Sequence, residues 1–206
     1  MKGICFKEPL FLATIEGRKT QTRRVMKPQP SMYRQTVGKL LGMFNINPSA
    51  LRGEMKPRYK VGEVVYLKEP YASSYNEETD KWEPIYKYGG PHYFDIDGGS
   101  VKWKSKLWMP ETKARYFIRI TDVRAERLQD ISDEDCCREG IVLRPECEQS
   151  AIVFGLFLEG GHVSNLGSTP REAYGALIDA INGKGTWDSN PFVWVYEYES
   201  YQMDVK

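Results

Sequence analysis

The sequence predicts an α+β fold, in which strands with alternating side chains are separated by short helices. Two observations support this class. Apolar and polar residues alternate in the middle and at the end of the chain, and helix start and stop signals stand between the alternating segments. With 206 residues, the chain lies within the single-domain range and can bury roughly 70% of its extended surface. We therefore predict one domain over residues 1–206.

The first predicted elements are a helix, a turn and two strands. Residues 10–16 are largely apolar, follow Pro9 and are closed by Gly17, which predicts a short helix with a glycine cap. Residues 59–67 indicate a turn that leads into a half-buried strand. Alternation over residues 114–124 predicts a further strand in the middle of the chain.

A short acidic helix is predicted after this middle strand. Ser132 is a good N-cap residue, and Asp135 follows it by three positions, as in a capping box with Asp in place of Glu. Gly140 can end the helix, which then covers about residues 133–139.

Glu139 falls in the last turn of that helix, where the helix dipole disfavours a carboxylate unless a cation compensates. Lys19 and Arg24 are the candidates for that cation. The alternative is that Glu139 simply faces water, as most glutamates do.

The chain is predicted to end with a helix and a long strand. Thr169 is an N-cap residue, Pro170 takes the first helical position, and Glu172 completes a capping box, so a helix runs to about residue 181. Residues 192–201 alternate aromatic side chains with valine and glutamate, which is typical of a strand.

The most informative stretch is residues 17–24, which joins a lysine and three arginines to two threonines. Lysine can act as a point charge or, when desolvated, as a base, and arginine grips phosphate or carboxylate in a planar fork. A threonine hydroxyl can donate, accept or attack. The alternative interpretation is a solvated basic turn. The side chains concerned are Arg18, Lys19, Thr20, Thr22, Arg23 and Arg24.

Charge is distributed unevenly, although the net charge is only +1. Residues 17–53 hold eight Lys or Arg and no Asp or Glu, whereas residues 126–148 hold eight acidic residues and three arginines. If these segments fold against each other, they form a cleft of mixed charge. Such a cleft suits a small polar ligand or a single flipped-out base better than a long duplex.

These segments together resemble the ASCH family, whose fold is a small mixed β-barrel related to the PUA domain. The resemblance implies a PUA-like barrel flanked by short helices, in the longer form that often occurs in phage or prophage. The segments that carry it are residues 17–24, 61–67, 118–141 and 191–198. The segments that look like insertions are about residues 28–58, 70–113 and 143–168.

Within the family, the chain resembles a small bacterial amidohydrolase that acts on N4-acetylcytidine, and this resemblance implies a catalytic trio of Lys19, Thr22 and Glu139. Glu134 and Asp135 are the alternatives to Glu139. Hydrolysis of the amide needs a nucleophile, a base and an acid for the leaving amine. Thr22 can serve as the nucleophile with Lys19 as its base and Glu139 as the acid, or Thr22 can orient a water instead.

The same motif implies binding roles for Arg18, Thr20, Arg23 and Arg24 toward a substrate or a nucleic acid. The predicted partner is a modified nucleoside or single-stranded RNA. Two other functions fit the resemblance: a non-catalytic PUA-like module that binds RNA, and a ribonuclease that uses the same pocket.

The middle of the chain is rich in aromatic residues interleaved with lysines. These aromatics can form a stacking platform for bases or the core of a β-hairpin, and the glycine turns at residues 89–90 and 97–99 favour the hairpin. The aromatics are Tyr71, Tyr75, Trp82, Tyr86, Tyr88, Tyr93, Phe94, Trp103 and Trp108.

No cofactor or metal site is predicted. The four cysteines form no C-x-x-C pair, and the two histidines, His92 and His162, stand in glycine-rich loops. No signal peptide or membrane-spanning apolar run is visible, so we expect a cytoplasmic protein with reduced thiols and no membrane partner.

Overall fold

The computed structural model describes residues 1–36, 39–45, 53–88, 101–144, 153–157 and 163–202. Within these ranges it has thirteen strands in four sheets and three α-helices, which confirms the predicted α+β class. The strands are β1 (Lys2–Cys5), β2 (Gln21–Val25), β3 (Met32–Thr36), β4 (Lys39–Asn45), β5 (Gly53–Glu54), β6 (Val64–Lys68), β7 (Tyr71–Asn76), β8 (Lys81–Tyr86), β9 (Phe117–Arg127), β10 (Ile141–Arg144), β11 (Val153–Phe157), β12 (Val163–Gly167) and β13 (Phe192–Tyr201). The α-helices are α1 (Glu8–Ile15), α2 (Asp133–Arg138) and α3 (Pro170–Asn182).

The largest sheet has five strands in the order β1-β6-β9-β13-β2. Its centre is the antiparallel pair of β9 and β13, which runs from Phe192 opposite Arg127 to Tyr201 opposite Phe117. Val193 and Val195 are fully buried on β13, and these strands fall where alternation predicted them. Long central strands form here because alternating apolar side chains bury one face of each strand against the helices.

The sheet has two edges, β1 and β2, and in the described part of the chain they do not pair with each other. The sheet is therefore not closed there into the barrel that the ASCH resemblance implies. The gap is bridged by a side chain instead, because Nη2 of Arg24 on β2 donates to the carbonyl of Cys5 on β1 at 2.8 Å.

The three helices lie where local signals predicted them. Helix α1 begins two residues earlier than expected and is followed by Gly17 with φ +76°, a backbone angle that glycine adopts without strain. Ser132 Oγ accepts from Asp135 N at the start of α2, and Thr169 accepts from Glu172 N at the start of α3. Both caps satisfy backbone N–H groups that a helix start would otherwise leave unpaired.

The aromatic middle segment contains a hairpin formed by β7 and β8, whose turn at residues 77–80 is not one of the predicted glycine turns. The glycine turns expected at residues 89–90 and 97–99 lie outside the described residues. Tyr71 and Tyr88 are buried, whereas the side chains of Trp82 and Trp108 are 70% and 83% exposed. Among the described aromatics of this segment, Tyr71 and Tyr88 therefore belong to the core, and the two tryptophans do not.

Smaller sheets surround the five-stranded sheet: β3-β4-β5, β10-β11-β12 and the β7-β8 hairpin. The main core forms between the central sheet and the helices, and its fully buried members include Phe11, Leu128, Ile131 and Ala173. None of the helices in the described ranges is long and apolar enough to cross a membrane.

Candidate functional site

The backbone around Lys19 is fixed from both sides. Lys19 N donates to Ala13 O at 2.8 Å, which ties the residue to the end of α1. The next residue, Thr20, donates through N to Arg138 O at 2.9 Å and accepts through O from Tyr198 N at 2.9 Å. The backbone of Lys19 and Thr20 is therefore fixed just before β2 by hydrogen bonds to α1, α2 and β13.

The Lys19 side chain is 99% removed from solvent, with a relative exposure of 1%. Its Nζ atom donates to Gln21 O at 2.7 Å, to Glu139 O at 2.9 Å and to Glu139 Oε2 at 2.6 Å. Each of the three N–H groups of a lysine ammonium thus has an acceptor, which is the condition for burying this group without leaving a donor unpaired.

Glu139 ends helix α2 and is followed by Gly140, whose φ of +103° lets the chain turn away into β10. Its carboxylate faces Lys19 at Oε2, and its Oε1 accepts from Arg23 Nη1 at 3.4 Å and from the Tyr174 hydroxyl at 3.5 Å. Of the two cations that the sequence offered for Glu139, the structure pairs it with Lys19. The other two candidate carboxylates take different positions: Glu134 is exposed, and Asp135 binds Arg23.

Burial sets the protonation of Lys19. Desolvation lowers the pKa of its amine from the ordinary value of 10.5, the charge of Glu139 opposes this shift, and Arg24 and Arg23 lower the pKa further. The net direction is downward because the loss of hydration outweighs one carboxylate. Lys19 is therefore closer to the neutral, basic form than a surface lysine is.

Thr22 is buried on β2 and lines the same small cavity as Lys19. The two side chains converge because Lys19 precedes the strand, so the alternation of an extended chain does not separate them. The Thr22 hydroxyl forms no hydrogen bond with any residue that the structure describes. It is thus the free hydroxyl of the site.

Arg23 has a fully buried side chain that meets three carboxylates. Its Nη2 donates to Asp135 Oδ2 at 2.8 Å and to Glu126 Oε2 at 3.2 Å, and its Nη1 reaches Glu139. Its Nη1 also donates to the Gln21 side chain. A ligand bound by Arg23, as the sequence predicts, would thus compete with the carboxylates that already bind its two terminal nitrogens. Its Nε, which is also buried, has no acceptor among the described residues.

The other predicted binding residues are placed differently. Arg24 is half-buried, and its guanidinium lies 5.3 Å from the centre of the Phe6 ring, on which Lys19 Nζ also stands at 5.5 Å. Arg18 is exposed and pairs with Glu16 outside the cavity. The side chain of Thr20 does not line the cavity either. The structure therefore brings Lys19, Thr22, Arg23, Arg24 and Glu139 together and leaves Arg18 and Thr20 apart.

The cavity has a volume of about 170 Å³. This is below the roughly 300–1,000 Å³ of a pocket for a drug-sized molecule, so the cavity suits a smaller chemical group. Sequence reasoning missed several of its walls, among them Phe6, Lys106 and Tyr174. Tyr174 lies next to Ala173 on the buried face of α3, where only the tertiary contact with Glu139 distinguishes it from an ordinary core residue.

The described side chains contain no group of three His, Cys, Asp or Glu that could hold a metal ion together. No model of a known protein family matches the chain, and no curated protein sequence or solved structure matches it either.

Proposed function

We propose that this protein is an ASCH-type hydrolase directed at a modified nucleobase, and that it cleaves an acyl-amide on a cytidine-like base. The observation that carries the proposal is the buried pair of Lys19 Nζ and Glu139 Oε2, 2.6 Å apart, in the wall that also holds Thr22. In the same proposal the sheet is PUA-like, and the gap between β1 and β2 is where a barrel would close.

Lys19 can act as a base and Glu139 as an acid, with one proton shared between the two side chains. In its neutral form, the amine of Lys19 takes the proton of Thr22 as the hydroxyl oxygen attacks the acyl carbon. Protonated Glu139 gives its proton to the exocyclic amine as the C–N bond breaks, which leaves an acyl ester on Thr22. The pair is then ionic.

Water then hydrolyses the ester, and Lys19 and Glu139 exchange their roles as base and acid. Glu139 takes a proton from water as the water oxygen attacks the ester, and Lys19 returns its proton to the Thr22 oxygen. The acid is released, and the pair is neutral again. The lowered pKa of the Lys19 amine, caused by burial, supports this cycle because it increases the population of the neutral form.

Arg23 holds the carboxylate of Glu139 in the wall of the cavity through Nη1. Its Nε–H is buried and has no acceptor among the described residues, and such a donor costs about 1–3 kcal/mol.

The experiment is hydrolysis of N4-acetylcytidine by the purified protein, followed by chromatography of the products. Thr22→Val keeps the shape of the side chain and removes the hydroxyl, and we expect it to reduce turnover at least 100-fold, the scale of a lost nucleophile. Thr20→Val is the matched control, because that side chain lies outside the cavity. Mass spectrometry of the quenched wild-type reaction should show an acyl group on Thr22.

Turnover that survives in Thr22→Val would contradict the catalytic role of this residue. Turnover lost without any acyl-enzyme would assign Thr22 to the positioning of a water. If the wild-type protein releases no cytidine from this substrate or from other N4-acylated cytidines, the proposed reaction is wrong.

A further inference from the structure

A second, larger cavity lies in the gap between the two edge strands β1 and β2. Its volume is about 860 Å³, some five times that of the Lys19 cavity. Among the residues that the structure describes, its walls include five cationic side chains and no carboxylate. The five are Arg24, Lys27, Lys56, Arg58 and Lys68. We call this cavity the cationic groove.

The groove cations lack the ion pairs that other buried or half-buried arginines have. None of the five meets a carboxylate in the described part of the chain, whereas Arg23, Arg115 and Arg124 are all ion-paired. Five like charges around one cavity repel each other, so this arrangement is stabilised by an anion that enters it.

The cations are free to make new contacts at several points of the groove. Lys27, Lys56 and Arg58 are exposed, and their side chains form no hydrogen bond within the described residues. Arg58 lies over the Tyr59 ring with its guanidinium carbon 5.5 Å from the ring centre. Lys68 Nζ donates to the Leu107 carbonyl at 2.9 Å and to no other residue in the described part of the chain.

Aromatic side chains lie in or next to the cationic groove. Trp194 lines the groove, is partly exposed and stands opposite Arg24 in the register of β13 and β2. Leu107 also lines the groove, and the residue after it, Trp108, is 83% exposed. A cation row beside an accessible aromatic ring is the combination that binds a single nucleic-acid strand, since the cations contact phosphates and the ring stacks on a base.

The groove and the Lys19 cavity are neighbours. Cys5 and Arg24 line both, and the centre of the Phe6 ring lies 5.3 Å from the Arg24 guanidinium and 5.5 Å from Lys19 Nζ. A nucleotide whose base occupies the small cavity would therefore have its backbone at Arg24, where the groove begins.

The geometry points to the cationic groove as a binding site for the phosphodiester backbone of a single-stranded nucleic acid, one base of which enters the Lys19 cavity. The identity of that base rests on the proposed function, but binding of the strand does not require turnover. Five cations exceed what one phosphate group of a free nucleotide needs. A duplex is disfavoured because the charge is confined to one groove of a protein with net charge +1.

The test measures binding of a fluorescent single strand by anisotropy, with no modified base present. The probes are an RNA and a DNA of about ten cytidines, a length within the roughly 4–16 nucleotides of single-strand sites. We expect log K to fall with log salt, by roughly 0.7 for each phosphate neutralised. The relative affinity of the two probes shows which strand the groove prefers.

The variant that tests the groove is Lys27→Glu, Lys56→Glu and Arg58→Glu combined, since all three side chains are exposed. We expect at least a tenfold loss of affinity and a salt slope reduced by roughly 2, the share of three phosphates. The matched control is Lys81→Glu, Lys87→Glu and Lys184→Glu combined, which makes the same charge change outside the groove and should bind within twofold of wild type.

Two outcomes separate this inference from the proposed function. A protein that hydrolyses the free acylated nucleoside but binds neither strand, or binds equally well in both triple variants, overturns the groove and leaves the hydrolase intact. A protein that binds the strand in a groove-dependent way but hydrolyses no acylated base supports the groove and overturns the hydrolase.

Discussion

Lys19 and Glu139 are 120 positions apart in the chain, and their side chains meet at 2.6 Å with exposures of 1% and 5%. This contact joins the start of an edge strand to the end of helix α2, and it does so in the protein interior. A buried ion pair is costly to desolvate, so it is stable only while both partners are present and hydrogen-bonded. The consequences of that relationship can be measured in stability as well as in activity.

Removal of one partner should destabilise the protein strongly. We predict that Lys19→Ala lowers the free energy of unfolding by about 3–5 kcal/mol, because Glu139 is left as a buried and poorly compensated charge. Urea unfolding measures this loss.

The control for this measurement is the exposed pair of Lys2 and Glu63, in which Lys2→Ala should cost less than about 1 kcal/mol. A double variant, Lys19→Ala with Glu139→Ala, should cost less than the sum of the two single changes. Additive costs would show that the two residues do not stabilise each other.

The pH dependence of hydrolysis should follow the Lys19 amine. The active pair has a neutral Lys19 and one proton on Glu139. Raising the pH through the lowered pKa of Lys19, below the ordinary 10.5, removes the proton that the leaving amine needs, so we expect kcat/KM to fall with rising pH. Arg24→Gln removes a positive charge that lowers this pKa, so the midpoint should move to higher pH. Arg24→Lys keeps the charge and should keep the midpoint, and a midpoint that is the same in all three proteins would exclude Lys19 as the base.

Acidic pH should lower the free energy of unfolding because it protonates Asp135. Burial raises the pKa of its carboxyl group, but the hydrogen bond and charge of Arg23 outweigh burial and hold it below the ordinary 3.8. A carboxylate with a lowered pKa stabilises the fold above its unfolded pKa, and this contribution is lost as the pH falls through the folded value. We therefore expect unfolding in urea to become easier below about pH 4.

Asp135→Asn should be less stable than wild type at pH 7 and should lose less stability on acidification. Asp188→Asn is the matched control, because Asp188 is exposed and has no ion pair within the described residues. Equal acid sensitivity in Asp135→Asn and wild type would mean that other carboxylates are responsible.

The N-cap of helix α2 should matter for both stability and the position of Glu139. Ser132 Oγ accepts from Asp135 N at 3.1 Å, and we predict that Ser132→Ala costs about 0.5–2 kcal/mol, measured by urea unfolding. Ser200→Ala, at an exposed position on β13, should change stability by less than about 0.5 kcal/mol. If both serine changes have the same effect, the cap does not stabilise α2.

Local signals in the sequence predicted much of the secondary structure. The caps at Ser132 and Thr169 start two helices where expected, and the alternation of residues 192–201 corresponds to β13. Such predictions succeed because a cap or an alternating strand depends on residues only a few positions apart. Together, the start signal at Ser132 and the stop signal at Gly140 likewise predict Glu139 at the end of its helix.

What the sequence by itself determined is therefore the class of the fold, the approximate positions of the helices and the motif that contains Lys19 and Thr22. Only the tertiary structure decided that Glu139 faces Lys19, that Arg23 is held by carboxylates and that the gap between β1 and β2 gathers five cations. The physical reason is distance along the chain. Which residues from distant segments meet depends on the order of strands in the sheet and on the charges available to pair with each buried charge. No local sequence pattern encodes these contacts.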